Sequence, residues 1–173
     1  MATAGKDLSH YDKNSLPDAS DMRIGIVVSE WNEDITENLF KGAHDTLLDC
    51  GVDAERIFRI DVPGSFELIY GCKNMQYSSY PVKDSKLRKG LDAIIAIGSV
   101  IRGETAHFDF VCQGVTNGIK DLNLNKSRVP VIFCVLTDDT HAQSVARSGG
   151  IHGNKGSEAA VAALKMAAIK QGF

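Results

Sequence analysis

The sequence has few of the features that mark membrane, metal-binding or nucleic-acid-binding proteins. Its four cysteines are far apart, with no C-x-x-C pair, which argues against a zinc site or a disulfide framework. No run approaches the roughly 20 apolar residues of a membrane span. The chain carries 19 basic and 22 acidic residues, so it lacks the basic surface typical of a nucleic-acid binder. These absences predict a soluble globular protein with reduced thiols in a reducing compartment.

The chain has enough length and apolar content for one compact domain. Its 173 residues, of which 43% are hydrophobic, match the size at which a single core can stabilise a fold without staples. Residues 1–21 are polar and aperiodic, and they lack the apolar core of a signal peptide. We therefore expect a flexible N-terminal arm over 1–21, a single domain over 22–173 and a cytoplasmic location.

Strand-like and helix-like segments alternate along this domain. Short β-branched runs predict strands over 23–28, 57–62, 91–97 and 129–136. Apolar residues at helical spacing, with capping signals, predict helices over 32–49, 65–74, 105–124, from Thr140 and over 157–170. Because the strands show no polar alternation, they predict a four-stranded parallel sheet in a three-layer α/β/α sandwich of flavodoxin-like type. The polar stretch 76–90 predicts a surface loop or a short additional piece.

The loops after the predicted strands carry several unusual residues, and ligands of open parallel sheets bind at that edge. Trp31 is the only tryptophan and follows the first strand. It either packs at a helix start or offers a flat surface for a heteroaromatic ring. Glu67 follows the second strand, where it either favours a helix start or accepts hydrogen bonds from a hydroxylated ligand.

The segment 98–107, after the third strand, is the most informative of these loops. With a helix starting after Gly103, the amides of Glu104 and Thr105 point outward and form a nest for phosphate or carboxylate. Arg102 pairs either with that anion or with a carboxylate on the protein surface. His107 suits proton transfer, although most single histidines are simply exposed polar residues. The chain has no P-loop and no G-x-G-x-x-G fingerprint, which argues against ATP or NAD chemistry.

Together, the segments 62–67, 98–107 and 153–156 resemble the signature segments of the lumazine synthase family, in the same order and at similar spacing. The resemblance runs from about residue 23 to the last helix. It implies condensation of 5-amino-6-(D-ribitylamino)uracil with 3,4-dihydroxy-2-butanone 4-phosphate to 6,7-dimethyl-8-ribityllumazine, with release of phosphate and water. This is the penultimate step of riboflavin biosynthesis, and it implies neither a metal nor an organic cofactor.

The resemblance also implies roles for particular residues. His107 matches the proton-transfer histidine, Trp31 matches a ring that stacks on the pyrimidine, and Phe133 matches an aromatic that reaches a neighbouring subunit's site. Contacts to the pyrimidine and the ribityl chain fall on Ser65, Phe66, Glu67, Ser99, Val100 and Ile101. The phosphate site falls on Glu104, Thr105 and Arg147. Lys155 matches a lysine near the phosphate end of the active site.

The chain also departs from the family's pattern at several positions. Trp31 stands where phenylalanine is commonest, Ala106 replaces a threonine, and Ile151 occupies a position where many relatives carry a second lysine. The missing lysine implies less positive charge at the phosphate end.

The resemblance implies a homo-oligomer, either a pentamer or a sixty-subunit shell, with riboflavin synthase as a further partner. The stretch 149–156 shows no insertion of the kind found in strictly pentameric members, which favours the shell. Two other functions remain open from the residues: a relative that binds flavin or lumazine without turnover, and a flavodoxin-like phosphate- or nucleotide-binding module.

Overall fold

The computed structural model describes residues 7–77, 90–127 and 129–172. Its centre is a four-stranded parallel sheet in the order β2-β1-β3-β4. The strands are β1 (Ile24–Ser29), β2 (Ile57–Val62), β3 (Ala93–Ile101) and β4 (Val131–Asp138). The helices are α1 (Glu33–Asp49), α2 (Leu68–Tyr77), α3 (His107–Leu124), α4 (His141–Arg147) and α5 (Lys155–Gln171). A small antiparallel ribbon pairs β5 (Ser148–Gly150) with β6 (Gly153–Asn154), and short 3₁₀ turns lie at Lys13–Ser15 and Ala54–Arg56.

The helices cover both faces of the sheet, as the sequence predicts. Strand β3 shows why its residues are apolar without alternation: Ile95 and Ile97 pack into the layer of α1 and α5, while Ile94 and Ala96 pack against α2 and α3. Each of these β3 side chains is fully buried. A strand buried on both faces has no polar side, so the α/β/α sandwich with a parallel sheet is confirmed.

Several element ends differ from the prediction. β3 and β4 continue past their apolar runs because the ladder continues: Gly98 pairs with Val135, and Ile101 with Asp138. α2 begins at Leu68 rather than at Ser65, and α5 begins at Lys155, where the Asn154 side chain accepts a hydrogen bond from the Gly156 N–H at 2.8 Å. These ends depend on hydrogen bonds that the apolar pattern does not contain.

The capping box of α4 is present as predicted. The Thr140 hydroxyl accepts a bond from the Gln143 N–H, and the Gln143 side chain accepts one from the Thr140 N–H. The loop prediction for 76–90 is wrong at its start, because residues 76 and 77 continue α2; residues 78–89 lie outside the described part of the chain.

Residues 7–22 lie against the domain. The Leu8 N–H donates to the His152 carbonyl at 2.9 Å, and the Asn154 N–H donates to the Ser9 hydroxyl at 2.9 Å. The Tyr11 hydroxyl donates to Asp49 at 2.9 Å, and burial together with this bond raises the pKa of Tyr11 to about 12. The arm predicted over 1–21 therefore has defined neighbours from residue 8 onward, while its flexibility and the boundary at residue 22 stay predictions.

All four cysteines are free thiols, and Cys50 and Cys112 are partly exposed. Cys72 and Cys134 are fully buried, and burial raises the pKa of Cys134 to about 12. Such a thiol is protonated at neutral pH, so it acts as a small apolar side chain. No helix within the described ranges is long and apolar enough to cross a membrane.

Candidate active site

A cleft of about 720 Å³ lies at the carboxyl ends of the strands. It is built by three loops and the start of α3, which meet because parallel strands present their carboxyl ends at one edge. Its predicted members are Trp31, Ser65, Phe66, Glu67, Ser99, Val100, Ile101, Thr105 and His107. The structure therefore brings candidate residues of three separate segments into one concave site.

Trp31 is an open ring at this cleft rather than a packing residue. Its side chain is 71% exposed, although tryptophan is usually well buried. Phe66, which lines the same cleft, is 52% exposed. Two exposed aromatic rings in one concave surface offer faces for stacking a flat heteroaromatic ligand.

A small hydrogen-bond network fixes the loops around the cleft. The Asn32 side-chain amide donates to the Ser99 carbonyl at 3.1 Å, and the Ser65 hydroxyl donates to the same oxygen at 3.3 Å. The loops after β1 and β2 are thereby tied to the end of β3. The Ser99 hydroxyl itself is buried and has no hydrogen-bond partner among the described residues, which leaves it available to a ligand in the cleft.

Sequence reasoning missed Asn32, which has a left-handed backbone with φ of +60°. Asparagine tolerates this conformation better than most residues do, and its position between β1 and α1 was the available signal.

We expect Asn32→Ala to lower the free energy of unfolding by about 2 kcal/mol, because alanine strains the left-handed backbone and loses the bond to Ser99. Asn32→Gly should be less harmful, since glycine relieves the backbone strain and loses only the bond. Urea unfolding at fixed protein concentration measures both. Asn38→Ala, on the exposed face of α1, is the control and should change stability by less than about 0.5 kcal/mol. A glycine variant no better than the alanine variant would contradict the backbone argument.

The start of α3 differs from the prediction. The helix begins at His107, with Ala106 as a cap that makes no side-chain hydrogen bond, rather than directly after Gly103. Among the described residues, no backbone partner is found for the amides of Glu104 and Thr105. The two amides thus remain unpaired donors beside the cleft, although they lie before the helix and not in its first turn.

Arg102 takes the second of its two predicted roles. Its guanidinium donates to Asp139 at 2.7 Å and to Asp109 at 3.2 Å, and it lies 4.1 Å from the centre of the Phe108 ring. With two carboxylates on its guanidinium, Arg102 forms surface ion pairs.

The His107 imidazole is exposed and lines the cleft. Its backbone N–H donates to the Thr105 hydroxyl at 3.4 Å, which fixes the first turn of α3. Within the described ranges, the imidazole has no hydrogen-bond or ion-pair partner. It can therefore give or take a proton directly at a bound ligand.

The other predicted site residues do not line this cleft. Glu104 is exposed beside Thr105, while Phe133 lies half-buried on the edge strand β4, next to a second groove of about 670 Å³. Arg147 ends α4 and pairs with Asp138 at 3.3 Å; Lys155 begins α5 and pairs with Glu158. Phe133, Arg147 and Lys155 thus lie elsewhere on the same chain.

The cleft also contains aromatic residues that were not predicted as site residues. Phe110 is 71% exposed and lines the cleft with Phe108. The signal was present in the sequence: Phe110 falls outside the apolar stripe of α3, so it cannot face the core.

The sequence is similar to known proteins over nearly its whole length. The family model described as 6,7-dimethyl-8-ribityllumazine synthase matches residues 21–171. A curated relative with that name from Christiangramia forsetii is 62% identical over 171 residues, covering 99% of this chain and 96% of the relative. The Flavobacterium johnsoniae protein of the same name is 60% identical, covering 99% and 84% of the two chains. The one from Porphyromonas gingivalis is 54% identical, covering 99% of each.

Proposed function

Because the chain belongs to the 6,7-dimethyl-8-ribityllumazine synthase family, it is a transferase of riboflavin biosynthesis, and we propose that the cleft beside Trp31 and His107 is its active site. The observation that carries this proposal is the meeting of an exposed flat ring, an exposed imidazole and Thr105 around one cavity, with Glu104 next to Thr105. Among the described residues, neither the imidazole nor the two backbone amides have a hydrogen-bond partner. A stacking surface, a proton carrier and anion donors are what the condensation of a pyrimidine with a phosphorylated ketone requires.

The cleft suits the pyrimidine substrate, 5-amino-6-(D-ribitylamino)uracil. We assign the ring to the face of Trp31 and the ribityl chain to the loop containing Ser65, Phe66 and Glu67. The Glu67 carboxylate is exposed and can accept hydrogen bonds from ribityl hydroxyls, while Ser99, Val100 and Ile101 line the far wall. Stacking of this kind is worth about 0.5–1.5 kcal/mol beyond the area it buries.

The reaction needs protons moved at several steps. The 5-amino group attacks the ketone, and loss of one water gives an imine. Elimination of phosphate leaves an enol, which tautomerises to a new carbonyl; the ribitylamino nitrogen attacks this carbonyl, and loss of a second water closes the ring. His107 lies where it can take a proton from an attacking nitrogen and return it to a leaving oxygen. Holding two substrates in contact supplies much of the remaining acceleration.

We assign the phosphate of 3,4-dihydroxy-2-butanone 4-phosphate to the amides of Glu104 and Thr105, with Arg147 and Lys155. In one chain the two cationic residues, and Phe133, lie away from the cleft, so we propose that a neighbouring copy supplies them in a homo-oligomer. A pentamer, alone or within a sixty-subunit shell, is the assembly we propose, with riboflavin synthase as a partner and the cytoplasm as the location.

The activity is tested by mixing purified protein with both substrates and following lumazine absorbance together with phosphate release. Both signals should rise at the same rate, well above the uncatalysed reaction. Binding of the pyrimidine without turnover would instead favour the binding-protein alternative. Light scattering on the same sample separates a single chain, a pentamer and a shell.

We expect Arg147→Ala to raise the KM for the phosphorylated ketone by about 10- to 100-fold, since a hydrogen bond to a charged group is worth about 1.5–3 kcal/mol. The KM for the pyrimidine should stay within about twofold, because the lost contact is to phosphate alone. Steady-state kinetics with each substrate varied in turn provides the measurement. Arg102→Ala is the matched control, because that guanidinium already pairs with surface carboxylates. An equal rise in both KM values would contradict the phosphate assignment.

A further inference from the structure

A buried polar cluster lies where β4 meets α4, and it consists of Asp138, Ser144 and Arg147. Asp138 is 7% exposed and Ser144 is fully buried, while the Arg147 side chain is 17% exposed. The Asp138 carboxylate accepts the Ser144 hydroxyl on one oxygen at 2.8 Å and the Arg147 Nη1 on the other at 3.3 Å. One buried carboxylate therefore holds a hydroxyl and a guanidinium together.

The backbone around Asp138 is fixed on both sides. Asp138 is the last residue of β4, paired with Ile101, and its carbonyl accepts the Arg102 N–H at 3.0 Å. The capping box at Thr140 then sets the start of α4, so Ser144 and Arg147, three positions apart, lie on the same side of the helix. The Asp138 carboxylate is thus held in place on the protein, and it fixes the position of the Arg147 guanidinium.

The Arg147 guanidinium is only partly used by this contact. Its Nε is buried and has no hydrogen-bond partner among the described residues. A buried donor without a partner is costly, and arginine presents its donors in a planar fork that fits phosphate on two atoms. The bond to Asp138 uses Nη1 and restricts the rotation of the side chain.

We propose that Asp138 is a positioning residue that holds the Arg147 guanidinium ready for the substrate phosphate, with Ser144 fixing the carboxylate. This inference rests on the proposed role of Arg147 in phosphate binding. An acidic residue would then be required for binding an anion, although its own negative charge repels phosphate.

The direction in which the KM for the phosphorylated ketone changes distinguishes two roles of Asp138: positioning Arg147, or acting through its own negative charge. If Asp138 acted only through its negative charge, removing the charge would lower the KM for the phosphorylated ketone, because repulsion of phosphate would fall. If it positions Arg147, the same change raises that KM, because the guanidinium gains freedom that binding must then remove. Asp138→Asn removes the charge and keeps the size of the side chain.

The experiment measures steady-state kinetics of the full-length assembled enzyme. We expect Asp138→Asn to raise the KM for the phosphorylated ketone by about fivefold or more, with kcat and the pyrimidine KM within about twofold. The inhibition constant of inorganic phosphate should rise by the same factor. Ser144→Ala, which removes only the hydroxyl, should act in the same direction by about two- to threefold. Asp139→Asn is the matched control, because this neighbouring carboxylate pairs with Arg102.

Combining Asp138→Asn with Arg147→Ala completes the test. In the absence of Arg147 the second change should add no further rise, since Asp138 then has nothing to position. A KM that falls or stays constant in Asp138→Asn, or two effects that multiply, overturns the proposal. If Arg147→Ala itself leaves the KM unchanged, the phosphate assignment and this proposal both fail, while turnover by the unmodified enzyme still supports the activity. Should Asp138→Asn not fold, Ser144→Ala alone decides by the same criterion.

Discussion

Replacing His107 with alanine is expected to lower kcat by on the order of 10²-fold, the lower part of the range for a positioned proton carrier. Both KM values should stay within about threefold, because the imidazole contributes to proton transfer more than to binding. The imidazole is exposed at the cleft wall and, within the described ranges, has no partner to divert it. Initial rates of lumazine formation at saturating substrates measure the effect.

The size of this effect follows from what the rest of the site does. Bringing two substrates together in a fixed orientation can supply several kcal/mol without any titrating group. Removal of His107 should therefore leave an enzyme that is slow but still faster than the uncatalysed reaction. Added imidazole should restore part of the rate.

His141→Ala is the control for the His107 experiment. His141 begins α4 and contacts Asp34 at 2.6 Å, away from the cleft. Its removal should leave kcat within about twofold. A His107→Ala enzyme that keeps more than half of the unmodified rate would remove the proton-transfer role from this residue. Asn and Gln at position 107 should resemble alanine, because an amide cannot exchange a proton near neutral pH.

The three layers of the fold could be predicted from the sequence, because apolar strand residues without polar alternation indicate a sheet that is buried on both faces. The bounds of β2 match the prediction at both ends, since Pro63 and Gly64 follow its apolar run directly. The last residues of β3 were not predictable, because Ser99 and Val100 belong to the strand through their pairing with β4 and not through their polarity. The β5–β6 ribbon was missed for the same reason: its few residues carry no period.

The cleft was predictable from strand order, but the groups that hold it in shape were not. Trp31, Glu67 and His107 follow strand ends, so the rule for parallel sheets places them together. Asn32 and Asp138 act through bonds to residues 67 and 9 positions away, respectively, and no local pattern records such partners. The candidate functional side chains could thus be predicted from the sequence, whereas the residues that orient them could be identified only from the structure.

The segment 153–156, one of the motifs in the family resemblance, has a structural reason for its glycines. Gly153 has a φ of +76°, which only glycine adopts without strain. Gly156 lies in the first turn of α5, where that helix packs on α1. A Cβ at Gly156 would overlap the Leu39 carbonyl oxygen and come within 2.8 Å of the carbonyl carbon. The motif therefore lets two helices approach closely, and it orients the start of α5, where Lys155 lies.

We expect Gly156→Ala to lower the free energy of unfolding by about 3 kcal/mol or more, because the contact atoms are backbone atoms of α1, which cannot move aside as a flexible side chain could. Helix propensity alone predicts the opposite sign, since alanine in a helix is favoured over glycine by about 1 kcal/mol. Urea unfolding at fixed protein concentration therefore decides between the two by direction as well as size.

Gly172→Ala, at the other end of α5, is the matched control for Gly156→Ala. Its added Cβ would lie 3.6 Å from the Ile169 carbonyl oxygen, an ordinary contact, so stability should change by less than about 0.5 kcal/mol. A stabilised or unchanged Gly156→Ala protein would show that α1 and α5 can separate without cost. It would contradict the claim that their close approach requires glycine at position 156. If the destabilised protein also has a raised KM for the phosphorylated ketone, the contact between α1 and α5 also helps to place Lys155, because Lys155 and Gly156 lie in the same turn of α5.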